Sequence, residues 1–533
     1  MQIIGYHITC IQAVNSLGER PNGSILDFLL EYKPDSIKVM YHLDYCVANL
    51  FRALQVPAHD LKKLLNNGSL YLAPYTFNYI PKKYFNVQHG AGRGAPFANF
   101  NDMYQFHRNS DITEHEPEWY AMEAARIGSQ VYEALLQLGL SPTSLVSPVR
   151  CWEKEVLAHM DLPELDDIPE QAAKLAYDCC EGGWVEAFQK GHFDKTYDYD
   201  VRSAYGSFTR GLLDTRYGKW RNDPFYDPVC YYGYALCDIE VTAPISPITF
   251  KTEDDEKITP TGKFPKPKVL SKRYLNFIDK YKIANVRVID GWWWHPDKLV
   301  CPFETMIDEL YRFKESAYGM AKDVYKRILA GIWGKFLQTN SDSFGDLFNP
   351  VWAEEVETGC RLTTAAFIYD NKLEKNTLHV AVDGVLSSRP VELAEQGAIG
   401  EWKLTNVGAA YVISSGICAV QGKEYQIDSD KENSDFILRY DWLKDQIAAN
   451  PNAHEYTMSK LSPVTVQKAV TQNKMQTLGQ HEEIVKTIDI TFESKRSYDQ
   501  IPETGRQLQR RHYMSEPYSI DLIMSYRDHC GIG

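Results

Sequence analysis

Two aspartates, Asp200 and Asp383, are the residues of this chain whose type and setting best suit chemistry. Asp200 belongs to a strand-like run at residues 197–201, and Asp383 lies between two apolar runs within residues 378–388. A two-metal phosphoryl-transfer site needs carboxylates of this kind, which strands far apart in the sequence can bring together. The pair therefore predicts a phosphoryl-transfer site built on two divalent cations.

The Asp383-Gly384 dipeptide predicts a β-hairpin in which these two residues form the turn. Both residues tolerate positive φ, and Asp-Gly between apolar runs is a strong short-range hairpin signal. A hairpin without any chemistry has the same pattern, so Asp383 becomes a candidate only together with Asp200.

The elements that would position these residues follow from the hydrophobic pattern. Strands and helices alternate from residue 2 to residue 54, which predicts a small α/β domain. A Gly/Asn/Phe-rich loop is expected at 84–101, and Pro117 opens a long helix that Gly139 ends. The Pro-rich, acidic stretch 141–172 is interpreted as a connection between domains.

Strands and two helices are expected in the middle of the chain. Residues 226–298 have mostly strand character, and 303–318 and 321–336 have helical character. Lys326 lies on one helical face with Ala330 and Trp333, opposite an apolar face that can be buried. Three adjacent tryptophans, 292–294, cannot share one face and are interpreted as packing residues.

Composition sets the broad class. A chain of 533 residues with 44% hydrophobic and 13% aromatic residues is expected to fold into three or four domains. Its net charge of −14 argues against a basic coat but leaves room for a local basic channel. The absence of a C-x-x-C pair disfavours a zinc ribbon or iron–sulfur cluster. With no signal peptide or apolar span visible, we expect reduced thiols, a cytoplasmic location in a bacterial host or similar cell, and no membrane partner.

Five stretches resemble, in order, the motifs of family B DNA polymerases. Asp-Val-Arg-Ser-Ala-Tyr-Gly-Ser at 200–207 resembles Asp-x-x-Ser-Leu-Tyr-Pro-Ser. Lys-Arg-Ile-Leu-Ala-Gly-Ile-Trp-Gly at 326–334 resembles Lys-x-x-x-Asn-Ser-x-Tyr-Gly, and Ala-Val-Asp-Gly at 381–384 resembles Asp-Thr-Asp-Ser. Lys-Glu-Tyr at 423–425 matches Lys-x-Tyr, and Glu-Gly-Gly at 181–183 stands where the family has Tyr-x-Gly-Gly. The chain is most similar to the compact polymerases of small phages and plasmids.

The resemblance implies a fold class of α/β and α+β multidomain type. An RNase H-like, exonuclease-type N-terminal domain would precede a right-hand polymerase with palm, fingers and thumb. The implied divisions are an exonuclease-like domain at 1–145, a connection at 146–190, the first part of the palm at 191–300, fingers helices at 301–340, the second part of the palm at 341–410, and the primer-grip region with the thumb at 411–533.

The resemblance also implies the activity and its residues. The activity would be DNA-directed DNA polymerase, with primer-template DNA and dNTPs as partners and two Mg²⁺ or Mn²⁺ ions as cofactors. The implied metal ligands are the carboxylates of Asp200 and Asp383 and the carbonyl of Val201. The implied nucleotide-binding residues are Lys326, Tyr205, Ala330 and Arg312, with Tyr205 as a steric gate against a ribose 2′-hydroxyl. The implied primer and DNA contacts are Lys423, Tyr425, Gly182, Gly183 and Trp333.

The chain departs from the family pattern at several positions. Ala381 replaces the first acid of the third motif, and Ala330 replaces an asparagine beside the nucleotide, which predicts a looser pocket and lower nucleotide selectivity. His7 and Thr9 stand where the exonuclease has Asp-x-Glu, while Cys46 and Ala124 replace its other two acids. A two-ion hydrolytic site cannot assemble without those carboxylates, so we expect no proofreading and a domain kept for its fold and for DNA contact.

Other functions stay open at this stage. A catalytically degenerate factor with a polymerase fold that binds DNA or protein is one alternative, and a template- or primer-independent nucleotidyltransferase is another. Retention of Asp200, Asp383 and Lys326 together favours an active enzyme. Only 44 residues separate Gly334 from His379, which leaves little room for the second large insertion of protein-primed phage polymerases. The use of a protein primer or accessory factor is therefore left open.

Two basic segments are candidates for contact with DNA, and three other catalytic patterns are absent from the sequence. Residues 263–273 and 506–511 are candidate DNA phosphate contacts, for which affinity would fall with salt. The stretch 331–336 is not a P-loop, because its spacing is too short and no Ser or Thr follows the lysine. Neither H-E-x-x-H nor G-x-S-x-G is present.

Overall fold

The computed structural model describes most of the chain and divides it into two compact units. The described residues are 1–9, 12–31, 33, 35–90, 95–106, 115–252, 256–339, 343–394, 396–426 and 436–523. Unit 1 consists of Met1–His159, Arg312–Ile328 and Ser459–Val485. Unit 2 consists of Met160–Tyr311, Leu329–Met458 and Lys486–Gly533. The six divisions expected from the sequence are finer than these units and stay predictions.

Fourteen helices and twenty-six strands are assigned within the described residues. The helices are α1 Ile25–Leu30, α2 Leu43–Ala53, α3 Ala58–Asn67, α4 Pro117–Gln137, α5 Pro148–His159, α6 Glu170–Cys179, α7 Ala204–Arg210, α8 Lys272–Tyr281, α9 Glu304–Ser316, α10 Gly319–Gly331, α11 Pro350–Asp370, α12 Tyr440–Ala449, α13 Val466–Thr471 and α14 Gly505–Arg510. The strands are β1 Gln2–Ile8, β2 Ala13–Asn15, β3 Ser36–Met40, β4 Ser69–Leu72, β5 Tyr75–Ile80, β6 Tyr84–His89, β7 Phe97–Asp102, β8 Val185–Ala187, β9 Gln189–Val201, β10 Gly218–Asn222, β11 Tyr232–Val241, β12 Phe250–Lys251, β13 Lys257–Ile258, β14 Gly262–Lys263, β15 Lys268–Ser271, β16 Ala284–Pro296, β17 Thr377–Ala381, β18 Gly384–Ser387, β19 Trp402–Ser414, β20 Ile417–Val420, β21 Glu424–Gln426, β22 Ile437–Arg439, β23 Glu455–Pro463, β24 His481–Asp489, β25 Arg496–Tyr498 and β26 Tyr513–Pro517. In the described part of the chain, none of these helices is long and apolar enough to cross a membrane.

Unit 1 is built on a seven-stranded sheet with the order β2-β1-β3-β7-β6-β5-β4. The β1–β3 and β3–β7 pairs are parallel, and the other pairs are antiparallel. The prediction of a loop at 84–101 is wrong, because β6 and β7 form an antiparallel pair in which Asn86 lies opposite Asn99. The buried Phe85 and Val87 alternate with asparagine and glutamine, which is the two-residue period of a strand. The glycine and asparagine content of this segment concealed that alternation.

Helices cover both faces of this sheet. The helix α4 lies across β1, β2 and β3 on one face, where Pro117 begins it and Gly139 follows it, as the sequence predicts. On the other face, α1, α2 and α3 contribute to an apolar core with the strands. Val464, Val466 and Leu478, from residues 459–485, belong to the same core. A segment from late in the sequence therefore completes unit 1.

The close approach of α4 to β1 depends on Gly5. A Cβ atom added at Gly5 would lie 1.8 Å from the backbone oxygen of Ala121 in α4. We expect Gly5→Ala to lower the free energy of unfolding of unit 1 by about 3 kcal/mol, since overpacking forces the backbone apart. Urea denaturation followed by tryptophan fluorescence measures this. Gly211→Ala is the control, because its nearest neighbouring atom would be 3.9 Å away. Equal stability of the two variants would contradict the packing described here.

Unit 2 contains two larger sheets with a buried helix between them. Six strands of the eight-stranded sheet follow the order β20-β19-β9-β18-β17-β8, and β26 also pairs with β9. The five-stranded sheet has β11 paired with β14, β15 and β16, and β10 paired with β16. Leu362, Ala365 and Ile368 of α11 join residues of both sheets in one core. The helix α11 is almost entirely buried.

The three adjacent tryptophans confirm their predicted role in packing. On β16, Trp293 is buried in the core that α11 shares with both sheets. Trp294 points to the opposite face and is buried in a second core with Ala172 and Val351. Successive side chains on a strand alternate between faces, so two large rings in a row serve two different cores.

Candidate active site

The strand β9 carries Asp200 at the centre of the eight-stranded sheet of unit 2. Asp200 lies opposite Gly384 of β18 on one side and opposite Lys403 of β19 on the other. The neighbouring side chains of Tyr199 and Val201 are buried, while that of Asp200 is 32% exposed. The alternation of a strand thus fixes two residues in the core and leaves the carboxylate accessible.

Asp383 lies directly beside Asp200, in the turn between β17 and β18. The Val201 amide donates a hydrogen bond of 3.2 Å to the Asp383 carbonyl oxygen. Hairpin pairing therefore brings together two residues that are 183 positions apart, and their use as one shared site stays a prediction.

The hairpin prediction is right, but its turn lies one residue earlier than expected. Ala381 pairs with Gly384, so the two-residue loop is Val382-Asp383, and Gly384 is already part of β18. Val382 has a φ of +59°, which is unusual for a β-branched residue. The Val382 amide donates to the Trp184 carbonyl at 2.7 Å, and its carbonyl accepts from the Thr364 hydroxyl at 2.9 Å. These bonds hold a strained backbone next to a candidate metal ligand.

The helix α11 supplies a polar face that the sequence analysis did not find. Glu357, Arg361 and Thr364 recur at helical spacing. Glu357 accepts hydrogen bonds from the amides of Glu181 and Gly182. Arg361 donates a hydrogen bond to the Gly182 carbonyl, and the Thr364 hydroxyl donates one to the Val382 carbonyl in the hairpin turn. The recurrence of polar residues at helical spacing was a signal for this face in the sequence.

The Gly-Gly loop predicted to contact DNA packs next to the hairpin turn. A Cβ atom at Gly183 would lie 2.7 Å from a methyl group of Val382, and Gly182 has a φ of +77°. Both glycines are thus required locally, by close approach and by backbone conformation. Their contact with DNA stays a prediction.

The donor atoms at this site suit a hard divalent cation. Asp200 and Asp383 offer carboxylate oxygens, and the backbone of Val201, which follows Asp200 on β9, is hydrogen-bonded to the backbone of Asp383. Magnesium is commonly held by one or two carboxylates, with water and substrate phosphates completing its shell. Over the described residues, no group of three or more His, Cys, Asp or Glu side chains is arranged to hold an ion alone. The carboxylates present therefore fit such an ion only as part of its shell.

Lys403 is a neighbour of the site that the sequence analysis missed. Its ammonium lies 3.1 Å from an Asp200 carboxylate oxygen, and both side chains are about one-third exposed. This lysine competes directly with a cation for Asp200. Its register opposite Asp200 depends on irregular pairing between β9 and β19, which no local sequence pattern encodes.

Tyr205 and Trp333 form a stacked pair. Their ring centroids are 5.1 Å apart with an interplanar angle of 16°. Burial raises the pKa of the Tyr205 phenol above its usual value, and the nearby Cys360 and Asp383 raise it further. Tyr205 is thus held neutral and close to Asp383, on the first turn of α7 after β9. Its role as a gate and the DNA contact of Trp333 stay predictions.

Lys423 is engaged within the protein. It forms an ion pair with Asp198, whose side chain is 6% exposed and which lies two residues before Asp200 on β9. Tyr425 belongs to β21, and its side chain lies outside the described part of the chain. The predicted contact of these two residues with a primer end stays a prediction.

The helices α9 and α10 carry the remaining predicted nucleotide-binding residues. Lys326 and Ala330 are one turn apart on α10 and both are exposed, whereas Val324 and Ile328 on its other face are buried as predicted. Arg312 is exposed on α9. Lys326 and Arg312 belong to unit 1 and the two carboxylates to unit 2, so their joint action stays a prediction.

The predicted basic segments are partly occupied by contacts within unit 2. Lys268 pairs with Glu181, and Arg273 pairs with Glu355 of α11. Lys272 donates to the backbone oxygen of Cys230. In the segment 263–273, these cations stabilise the core around α11, which weakens the case for this segment as a phosphate contact.

The four positions that the resemblance assigns to a degenerate exonuclease site lie in unit 1. His7 on β1 and Cys46 on α2 are buried, with 3.6 Å between Nδ1 and Sγ. Thr9 donates its hydroxyl to the Gln12 carbonyl at 3.2 Å, and Ala124 is buried on α4. Burial lowers the pKa of His7 to about 3 and raises that of Cys46 to about 12. Both groups are therefore uncharged at neutral pH, so neither supplies the negative charge of a carboxylate at these positions.

Two acids remain near these positions. The Asp44 carboxylate accepts from the Tyr79 hydroxyl at 2.7 Å and from the Lys82 amide at 2.9 Å. Asp102 is 4% exposed and accepts from the amides of Leu43 and Tyr104. Burial, followed by the charge of Asp44, raises the pKa of Asp102 to about 7.

The raised pKa of Asp102 predicts a pH-dependent stability of unit 1. The folded protein retains the Asp102 proton up to about pH 7, whereas the unfolded chain releases it near the ordinary aspartate pKa of 3.8. Stability should therefore fall as pH rises from about 4 to 7 through this group. We expect Asp102→Asn, which keeps the accepting oxygen, to stabilise the protein by about 1 kcal/mol or more at pH 8 and to have little effect at pH 4. Urea titrations at both pH values measure this, and a uniform loss of stability would contradict it.

Comparison with known proteins bears on the fold. No protein-family model and no curated protein sequence matches the chain. Among solved structures, phi29 DNA polymerase in a ternary complex with primer-template DNA and incoming nucleotide superposes with a TM-score of 0.62, over 92% of this chain and 99% of that one, at 13% identity. This chain has the phi29 DNA polymerase fold. The phi29 polymerase complex with single-stranded DNA gives a TM-score of 0.61 at 14% identity, over 92% of this chain and all of that one.

Proposed function

We propose that the chain is a DNA-directed DNA polymerase of family B type, which transfers a nucleotide from a dNTP to a primer 3′-hydroxyl and lacks proofreading. The observation that carries this proposal is the pairing of β9 with β18. It places Asp200 next to Asp383 in a chain with the phi29 polymerase fold. The phi29 polymerase structures include primer-template DNA and incoming nucleotide, which supports the same substrates here.

In this proposal, the residues of unit 2 hold the reacting groups. Asp200, Asp383 and the Val201 carbonyl would hold two Mg²⁺ or Mn²⁺ ions, which when bound activate the primer oxygen and stabilise the leaving pyrophosphate. Tyr205 would exclude a ribose 2′-hydroxyl, and stacking on Trp333 would hold its ring in place. The strained Val382 backbone, fixed by Thr364 and Trp184, would keep the Asp383 carboxylate oriented.

The remaining residues would bind the substrates. Lys326 and Arg312 would neutralise the triphosphate, with the arginine as a forked donor. Lys423 and Tyr425 would support the primer end, and the ion pair to Asp198 would hold Lys423 in place. The eight-stranded sheet would act as the palm, and α9 and α10 as the fingers. In unit 1, the uncharged pair His7–Cys46 supports an exonuclease-like domain without hydrolytic activity.

Extension of a labelled primer on a DNA template tests the proposal. The wild-type protein should extend the primer with Mg²⁺ or Mn²⁺, should follow the template base, and should not extend in EDTA. A primer with a mismatched 3′ nucleotide, incubated without dNTPs, should stay intact. Extension without a template would favour the template-independent alternative, and removal of the mismatched nucleotide would refute the inactive exonuclease.

A second candidate function is a DNA-binding factor without catalysis, which the Lys403–Asp200 ion pair favours. A lysine that is paired with Asp200 would prevent a metal ion from binding to this carboxylate. DNA binding without extension under either metal would support this candidate.

The Lys403–Asp200 ion pair also leads to a prediction about the affinity of the site for a metal ion. We expect Lys403→Gln to raise the affinity for Mn²⁺ about two- to fivefold, because an ion pair that is about one-third exposed contributes less than about 1 kcal/mol. Isothermal titration calorimetry or Mn²⁺ electron paramagnetic resonance measures binding directly. Lys444→Gln, an exposed lysine on α12, is the control. Unchanged or weaker Mn²⁺ binding by Lys403→Gln would contradict the proposed competition.

A further inference from the structure

Unit 1 contains a cavity that none of the roles above uses. Its volume is about 500 Å³, which lies in the range of small-molecule sites. One wall consists of side chains from β6 and β7, including Tyr84, Asn86 and Asn99. The opposite wall consists of the loop 139–147 and the first two turns of α5. We refer to it as the β6–α5 cavity.

Two asparagines in its wall have unmet hydrogen-bonding capacity. Asn86 and Asn99 are directly opposite each other on the paired strands, and both line the cavity. The Oδ1 atoms of both are buried, and they have no hydrogen-bond partner among the described residues. A buried amide oxygen without a partner is unfavourable, so turning either amide towards the cavity to accept a hydrogen bond from a ligand would lower its energy.

The facing wall supplies cationic side chains and hydroxyl groups. Arg150 and Lys154 are one turn apart on α5 and both line the cavity, and Arg150 is also paired at 2.6 Å with Glu153, whose side chain is 1% exposed. The one carboxylate in the lining, Glu155, is paired with His159 at 3.1 Å. Ser141 and Ser147 add hydroxyl groups between the two walls. The lining thus has amide groups at one side and cationic groups at the other.

This arrangement matches the chemistry of a nucleotide. Asparagine amides form paired hydrogen bonds with the edge of a base, above all adenine. Tyrosine rings such as that of Tyr84 stack on bases, and arginine and lysine bind phosphate oxygens. The two walls could therefore bind the two ends of one such molecule.

We propose that the β6–α5 cavity binds a nucleoside 5′-phosphate, either free or as the end of a DNA strand. Asn86 and Asn99 contact the base edge, and Arg150 and Lys154 contact the phosphate. The site lies wholly in unit 1 and contains neither the carboxylates Asp200 and Asp383 nor the degenerate exonuclease positions. It is thus separate from the proposed polymerase site and does not depend on the proposed activity.

Calorimetric titration of the full-length protein with dAMP, in EDTA, tests the proposal. EDTA removes metal-dependent binding at the carboxylates. The double variant Asn86→Leu/Asn99→Leu keeps side-chain size but removes the amides, and Arg150→Gln/Lys154→Gln removes the two charges. Asn78→Leu is the matched control, since Asn78 lies opposite Asn86 on β5 but does not line the cavity. Asp383→Asn is a second control for binding at the polymerase site.

The expected result is saturable binding that weakens about tenfold or more in both double variants and stays unchanged in Asn78→Leu and Asp383→Asn. Absence of dAMP binding to the wild type, or its loss in Asp383→Asn, would overturn the proposal. Equal affinity for inorganic phosphate would overturn the role of the base. Competition by a 5′-phosphorylated oligonucleotide, compared with its unphosphorylated form, distinguishes a strand end from a free nucleotide.

A photocrosslinking experiment keeps the proposal testable if a double variant fails to fold. Wild-type protein labelled with 8-azido-dAMP in EDTA should carry the label in peptides from residues 84–99 or 139–155. Label confined to other peptides would place the binding elsewhere and would overturn the proposal.

Discussion

Primer extension by the Asp383→Asn variant is expected to fall at least about 10³-fold, because losing a metal ligand removes several kcal/mol of transition-state stabilisation. The substitution keeps the size of the side chain and leaves the hydrogen bond from the Val201 amide to the Asp383 carbonyl intact. The loss would therefore report on the carboxylate charge and not on the turn. Asp200→Asn should have an effect of similar size, since the two carboxylates lie on paired strands.

Single-turnover extension in Mg²⁺ measures this effect, and a gel shift with primer-template DNA checks that binding is retained. Asp194→Asn is the control, because Asp194 is on the same strand as Asp200 and its side chain is fully exposed. Full activity in either Asp200→Asn or Asp383→Asn would remove these residues from the proposed site. A loss of DNA binding together with activity would indicate damage to the fold.

Arg496→Met is expected to destabilise the protein by about 3–5 kcal/mol, because it leaves a buried carboxylate without its counter-charge. Arg496 and Glu186 are 2.7 Å apart, and their side chains are 2% and 1% exposed. Glu186 also accepts hydrogen bonds from the Trp184 indole and the Thr259 hydroxyl. Those bonds fix the carboxylate in the core, so it cannot turn towards water once the arginine is gone.

Urea denaturation of a double-mutant cycle measures this effect. Glu186→Gln/Arg496→Met should recover part of the stability lost in Arg496→Met, since the buried charge is then absent. Arg439→Met is the control, because its 2.8 Å pair with Glu424 is exposed and should contribute less than about 1 kcal/mol. A loss in Arg496→Met no larger than in Arg439→Met would contradict the role of this buried pair.

Local sequence patterns were sufficient for the elements that carry the two carboxylates. The strand near Asp200 and the hairpin around Asp383 were both predicted. The turn was placed one residue late because Asp-Gly tolerates positive φ better than Val382 does. Bonds from Trp184 and Thr364, which are remote in sequence, override that local preference.

The residues around the carboxylates were mostly beyond the reach of the sequence. Lys403 meets Asp200 through the register between β9 and β19, and Lys423 meets Asp198 from the connection between β20 and β21. The role of α11 was not predicted, because the segment between Gly334 and His379 was interpreted only through its length. Asn349 as N-cap and Pro350 in the first turn were nevertheless recognisable start signals for that helix.

The composition of unit 1 has a consequence for synthesis in the cell. Its core needs Val464, Val466 and Leu478, which the ribosome adds more than 300 residues after His159. At translation rates of roughly 5–20 residues per second, the first segment waits about 20 to 60 seconds for these side chains. During that time, the apolar surface of α2 and α3 that they cover stays open to other chains. A truncated gene that ends near residue 160 should therefore yield an aggregating product, although it encodes the whole seven-stranded sheet.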